Sequence, residues 1–333
     1  MSDPFAIIRA PRWHYAALLL LWATAAPAMD PDLHEKITHQ ALAYYRQCSA
    51  TVELPPLPDA TDFWGNPMAD RLAEFSGGED LWPLTFRARN WHFYDASGAT
   101  ESRLGLLAVE TSLDRAFRSR TAQTTDALAK GAMEEFYQYA GRSLHYIQDM
   151  AVPAHVAPIY HVNIPLIDEQ PDPFDSLIDP DTLYHSMPPA RCRALAAKAA
   201  ALPKDLATGL RMLLDSLALE TRAAIASGNA APVDWSLFWR LYDPAQPTPN
   251  STDLPGFGRY GAYGREGFAL DAEHCQQASS ALNQATQNPC LALLSDRLQA
   301  AIDSSLIAII YLQLSASNHL SITEAHIDMT NHD

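Results

Sequence analysis

Basic residues are scarce in this chain: 23 Lys and Arg stand against 39 Asp and Glu, giving a formal charge of −16 over 333 residues. A surface of that sign repels polyanions and disfavours a long polynucleotide track, which would rest on basic side chains at the phosphates. Cysteine is also sparse. Cys48, Cys192, Cys275 and Cys290 are the full set, with no Cys-x-x-Cys spacing, so disulfides are favoured over thiolate metal ligation. No phosphate-binding glycine loop, no Ser-His-Asp nucleophile motif and no repeat of fixed period competes for the function. Convincing alternating strands are few. The apolar run from Ala16 to Trp22 is shorter than the roughly 20 residues that a membrane-spanning helix needs.

That run instead reads as the core of a leader. Arg9 and Arg12 precede it, and Ala26-Pro27-Ala28 is a small-residue cleavage site. Residues 1–28 are therefore expected to be a signal peptide, and 29–333 a secreted or periplasmic mature chain without a transmembrane segment. Loss of Arg9, Arg12 and Asp3 takes the formal charge from −16 to −17. In an oxidising compartment Cys48–Cys192 and Cys275–Cys290 are the expected pairs among three possible connectivities.

The whole chain is rich enough in apolar residues (48%) to build a sizeable core, and its 19% charged residues argue against general disorder. Ala- and Leu-rich stretches at helical spacing cover roughly 102–119, 124–150, 187–228 and 290–316, which predicts an all-α fold. No composition break divides it, so one domain is expected. Residues 161–183 and 244–266 carry turn chemistry instead. The first is expected to be an ordered loop over the functional site, the second a surface connection or a rim for substrate.

The chemistry concentrates between His145 and His155. A helix places His145 and Asp149, four residues apart, on one face, so an imidazole and a carboxylate can converge on one point. Pro153 has no N–H for a helix interior and biases Val152 away from helical angles, which should turn the chain and carry His155 back to the same cavity. Two first-row metal ions could share that cavity.

The stretch resembles the central motif of the zinc-dependent phospholipase C family, whose superfamily also holds the single-strand-specific zinc nucleases: His-x-x-x-Asp, five residues, then His, with a proline two before the second His. The resemblance spans roughly Met29 to Asp175. It implies a single multi-helix domain with three zinc ions at the base of a cleft. It also implies a ligand set. Met29, as the new terminus, would chelate one zinc through its amine and carbonyl together with His34; the family residue is commonly Trp, but backbone chelation does not depend on the side chain. His39 is the rival to His34. Asp80 and His92, a dozen residues apart, would join His145 and Asp149, with Asp70 as runner-up carboxylate and Asp95 orienting an imidazole. The third site would take His155, His161 and Asp175; because the position four before Asp175 is Pro171, His161 must serve from a separate loop, and Asp168 and His185 remain candidates.

The implied activity is phosphodiester hydrolysis by a metal-activated water, with Asp149 bridging the close zinc pair and Asp80 assisting deprotonation. The implied substrate is a phospholipid head group at a membrane surface, the protein acting as a monomer. Short single-stranded nucleic acid is the alternative substrate. A zinc-stabilised binding or structural protein without turnover is the alternative of another class.

Overall fold

The computed structural model, which describes residues 31–58, 61, 65–79, 92–94, 101–104, 107–110, 113–157, 159, 186–226, 233–241, 258–262 and 289–330, is built mostly of helix. In chain order the helices are α1 (Pro31–Ser49), α2 (Asp70–Gly78), α3 (Asp114–Ala129), α4 (Met133–Asp149), α5 (Pro153–Val156), α6 (Pro189–Ala200), α7 (Leu206–Ala226) and α8 (Pro289–Thr330). The expected all-α character holds with one local correction. Residues 101–110, half of a stretch expected to be helical, pair as an antiparallel hairpin of β1 (Glu101–Leu104) and β2 (Leu107–Glu110), with Glu101 opposite Glu110 and Leu104 opposite Leu107. Only Gly105 and Leu106 link the strands in sequence, and a two-residue connection led by glycine is the shortest way to close a hairpin. A second short pair joins β3 (Trp239–Arg240) to β4 (Arg259–Tyr260).

The expected long helices are interrupted where local chemistry demands it. α3 ends in a left-handed Gly131 (φ +68°), with Gly131 N–H donating to Leu128 O and Ala132 N–H to Ala127 O. That pair of bonds satisfies the orphan carbonyls of the last turn and stops the helix before α4 begins. The 187–228 stretch splits at Pro203. Asp205 then caps the next helix, its carboxylate accepting from Thr208 N–H at 2.8 Å.

α4 is the centre of the fold. Every residue from Ala140 to Asp149 is buried, so this half of the helix has no solvent face and must be covered all round. α2 and α3 pack on it, α1 packs on α2, and α8 lies across α1, α4, α6 and α7. Close approach of α2 depends on Gly141, where an added Cβ would sit 2.6 Å from the Leu72 carbonyl oxygen. Phe136, Leu144 and Ile147 are fully buried, each contributing about 1.5–3 kcal/mol over exposure.

The Ala292–His319 part of α8 is long and apolar enough to cross a membrane by length and composition, but 67% of its most apolar window is buried inside the protein. Its polar groups are engaged inward as well. Gln313 hydrogen-bonds the Tyr137 hydroxyl, and Arg297 reaches Thr221 and Glu220 on α7. It is placed as a core helix. Cys48, at the end of α1, is bonded to Cys192 on α6, as expected. Of the other expected pair, Cys290 is buried and Cys275 lies outside the described residues.

Candidate metal centre

The end of α4 carries a cluster of buried polar side chains within the apolar core. The last turn tightens, with Met150, Ala151 and Val152 N–H donating three residues back to Ile147, Gln148 and Asp149. Val152 is extended (φ −84°, ψ 122°) and Pro153 opens α5. The predicted turn therefore forms, and it swings His155 back over Asp149: His155 Nδ1 lies 3.8 Å from Asp149 Oδ1.

Four imidazoles surround that carboxylate. His34 Nε2 is 3.4 Å from Asp149 Oδ1, His145 Nε2 is 3.5 Å from Oδ2, and His92 Nδ1 is 2.9 Å from Oδ2. His34, His145, His155 and Asp149 are fully buried, and His92 nearly so. The ligand atoms of His34, His145 and Asp149 all lie within 4.8 Å of one another, so this buried group could hold a metal ion.

What three of the rings do with Nδ1 is more telling. His34 Nδ1–H donates to the Gln148 side-chain carbonyl at 2.7 Å, His145 Nδ1–H to the backbone carbonyl of Ser76 at 2.8 Å, and His155 Nδ1–H to the backbone carbonyl of His92 at 2.8 Å. A carbonyl can only accept, so each contact fixes the proton on Nδ1 and leaves the lone pair on Nε2. Orientation of ligating histidines through the other ring nitrogen is the usual support of a metal site. His92 is the exception, presenting Nδ1 to the cluster, where it lies 2.9 Å from both Asp149 Oδ2 and His145 Nε2.

This arrangement leaves two acceptors face to face. Neither His34 Nε2 nor Asp149 Oδ1 has a hydrogen-bond partner, although both are buried. Unpaired buried groups of this kind cost roughly 1–3 kcal/mol each. A proton on His34 or a bound cation would relieve the contact. The spacing suits a cation: at metal–ligand distances near 2.0–2.1 Å a tetrahedral zinc holds its ligand atoms about 3.3 Å apart, and imidazole with carboxylate is a donor set that zinc accepts.

Electrostatics agree. Burial, helped by the His34 ring stacked 4.0 Å away, holds the His145 imidazole well below its ordinary pKa and therefore neutral. Burial works to raise the Asp149 carboxyl, but the imidazoles of His145, His155, His34 and His92 outweigh it and hold the group well below the usual carboxylate range. His145 is thus a neutral ring beside an anionic Asp149, the states in which each can serve as a metal ligand.

The neighbouring shell is built from ion pairs and backbone bonds. Glu79, buried just beyond α2, accepts from Arg142 at 2.7 Å, Arg120 at 2.9 Å and the Tyr146 hydroxyl at 3.0 Å, fastening the Ser76–Glu79 segment to the helix that carries His145. Tyr94 N–H donates to His155 O at 2.9 Å, so the 92–94 segment and α5 hold each other in both directions.

Five residues expected as ligands, His34, His92, His145, Asp149 and His155, are thus brought together from four separate parts of the chain. Met29, Asp80, His161 and Asp175 lie outside the described residues, as do Asp95, Asp168 and His185. Two rivals are placed elsewhere. His39 is half exposed and 3.6 Å from Glu35 on the outer face of α1, and Asp70 lies 3.8 Å from Arg46 at the start of α2. The orienting groups Ser76 and Gln148 and the buried Glu79 network went unassigned in the sequence. No family model, curated protein or solved structure matches the chain.

Proposed function

We propose that this chain is an exported zinc-dependent phosphodiester hydrolase of the phospholipase C type. The observation that carries the proposal is the buried group of His34, His145 and Asp149, its two Nδ1-protonated rings turning Nε2 toward the carboxylate, with His34 Nε2 and Asp149 Oδ1 unpartnered 3.4 Å apart. His34, His92, His145, Asp149 and His155 would hold the metal, with Met29, Asp80, His161 and Asp175 completing three zinc sites. Zinc, when bound, supplies Lewis-acid stabilisation of phosphoryl charge and lowers the pKa of a water to about 7.

The chain's own residues do the rest. Asp149 turns Oδ1 toward His34 and His155 and Oδ2 toward His92 and His145, so each carboxylate oxygen could serve as a ligand. Asp80 assists in taking the proton of the attacking water. The surrounding core excludes bulk solvent and so strengthens each charge interaction. A net charge of −16 leaves phosphate affinity local to the metals, which favours a single phosphodiester such as a phospholipid head group over a long nucleic-acid track. The Cys48–Cys192 disulfide supports an oxidising compartment.

The test is a panel of phosphatidylcholine, a chromogenic phosphodiester and single-stranded DNA, assayed with zinc and with a chelator. Zinc-dependent turnover of the first two supports the proposal. Turnover of DNA alone redirects it to a nuclease, and zinc binding without turnover of any substrate would make this a zinc-stabilised binding or structural protein.

A further inference from the structure

Gln148 is fully buried between the helix that carries Asp149 and two others. Its amide Nε2 donates to Thr38 Oγ1 on α1 at 2.8 Å and to Ser305 Oγ on α8 at 3.1 Å. The Thr38 hydroxyl can receive that bond because its own proton goes to the His34 carbonyl at 3.0 Å. With both amide hydrogens committed to hydroxyls, only the Gln148 carbonyl is left to face His34, and it meets Nδ1 at 2.7 Å.

The choice of tautomer has a chemical consequence. With the proton on Nδ1, His34 presents a lone pair at Nε2 toward Asp149 Oδ1, 3.4 Å away. With the proton on Nε2, the same ring would turn an N–H toward that oxygen and offer a cation no lone pair. We infer that Gln148 is a positioning residue that locks His34 in its metal-binding tautomer, and that α8 takes part in the site by holding the Gln148 amide through Ser305. The inference rests on the metal-site reading and deepens it: a residue that would touch no metal decides whether one of the ligands is available.

The test separates the two claims. In metal-free protein, long-range proton–nitrogen NMR of labelled histidine reports the His34 tautomer directly, without any metal. Wild type should carry the proton on Nδ1; Gln148→Leu, which removes the carbonyl at similar volume, should shift it to Nε2. Competitive titration against a chromophoric chelator should then show zinc affinity falling about 10–100-fold in Gln148→Leu. Gln148→Glu keeps an acceptor oxygen facing His34 Nδ1, so the tautomer and with it the zinc affinity should be restored. Should Gln148→Leu fail to fold by circular dichroism, Gln148→Asn, whose carbonyl falls one methylene short, carries the same expectation. A folded Leu or Asn variant with the wild-type tautomer and wild-type zinc affinity would overturn the inference. Wild-type protein that binds no zinc would instead remove the metal reading, while the tautomer measurement would still decide the role of Gln148.

Discussion

Asp149→Asn should move the stability of metal-free and zinc-loaded protein in opposite directions. In the metal-free pocket at pH 8, above the ordinary range of imidazole protonation, Asp149 Oδ1 and His34 Nε2 oppose each other as two acceptors at 3.4 Å. An asparagine with its NH2 on that side converts the clash to a donor–acceptor pair, while its carbonyl still accepts from His92 Nδ1, now 2.9 Å from Oδ2. Relief of the unpaired atoms is worth about 1–3 kcal/mol, and loss of the charge-assisted bond from His92 takes back about 1 kcal/mol. The metal-free variant should therefore be more stable than wild type by about 1 kcal/mol. Zinc at one hundred times its dissociation constant adds about 2.7 kcal/mol to wild type. The variant, lacking the bridging charge, should gain under about 1 kcal/mol, so the order reverses. Urea unfolding followed by circular dichroism, in chelator and in zinc, measures all four values. The reasoning fails if the metal-free variant loses about 3 kcal/mol or more, the cost of breaking a buried ion pair, or if zinc stabilises both proteins equally.

Three further expectations concern the support of the site. Glu79→Ala removes a buried carboxylate bonded to Arg142 and Arg120 and should cost about 3–5 kcal/mol in urea unfolding, with Glu79→Gln milder because it keeps the acceptor toward Tyr146; equal and small losses would show that the network is not a support. Cys48→Ser opens a loop of 144 residues and should cost about 5 kcal/mol on the chain-entropy model, and a loss below about 1 kcal/mol would mean that helix packing alone holds α1 to α6. Burial pushes the Tyr137 phenol up to about 12 and raises Tyr45 as well. The folded state then keeps protons that the unfolded chain releases above pH 10, so stability should fall from pH 10 upward by about 1.4 kcal/mol per pH unit for each group; a flat profile between pH 10 and 11 would contradict their burial.

Part of the buried His/Asp cluster was legible because it obeys short-range rules. Spacing of four put His145 and Asp149 on one face, and Pro153 announced the turn that returns His155. His34 and His92 were reachable only through the family resemblance, since nothing local connects residues more than fifty positions from His145 with its ring. The orienting carbonyls were invisible for a related reason. Ser76 and Gln148 act through atoms that any serine or glutamine possesses, and their role exists only once α1, α2 and α4 are packed. The hairpin at 101–110 was misread as helix because Leu and Ala at those positions satisfy a helical period, while pairing across Gly105 and Leu106 prevailed. The break at Gly131, inside the expected 124–150 helix, was missed as well, although glycine is the one residue type that takes a positive φ at no steric cost.

The account turns on whether this pocket uses zinc to hydrolyse phosphodiesters, and the most direct measurement is turnover of a chromogenic phosphodiester as zinc is added back to metal-depleted protein. Wild type should be inactive without metal, rise with added zinc to a plateau near three equivalents, and lose that response in a folded His145→Ala variant. Turnover in the metal-free protein, or a fully zinc-loaded protein that hydrolyses no phosphodiester, would contradict it.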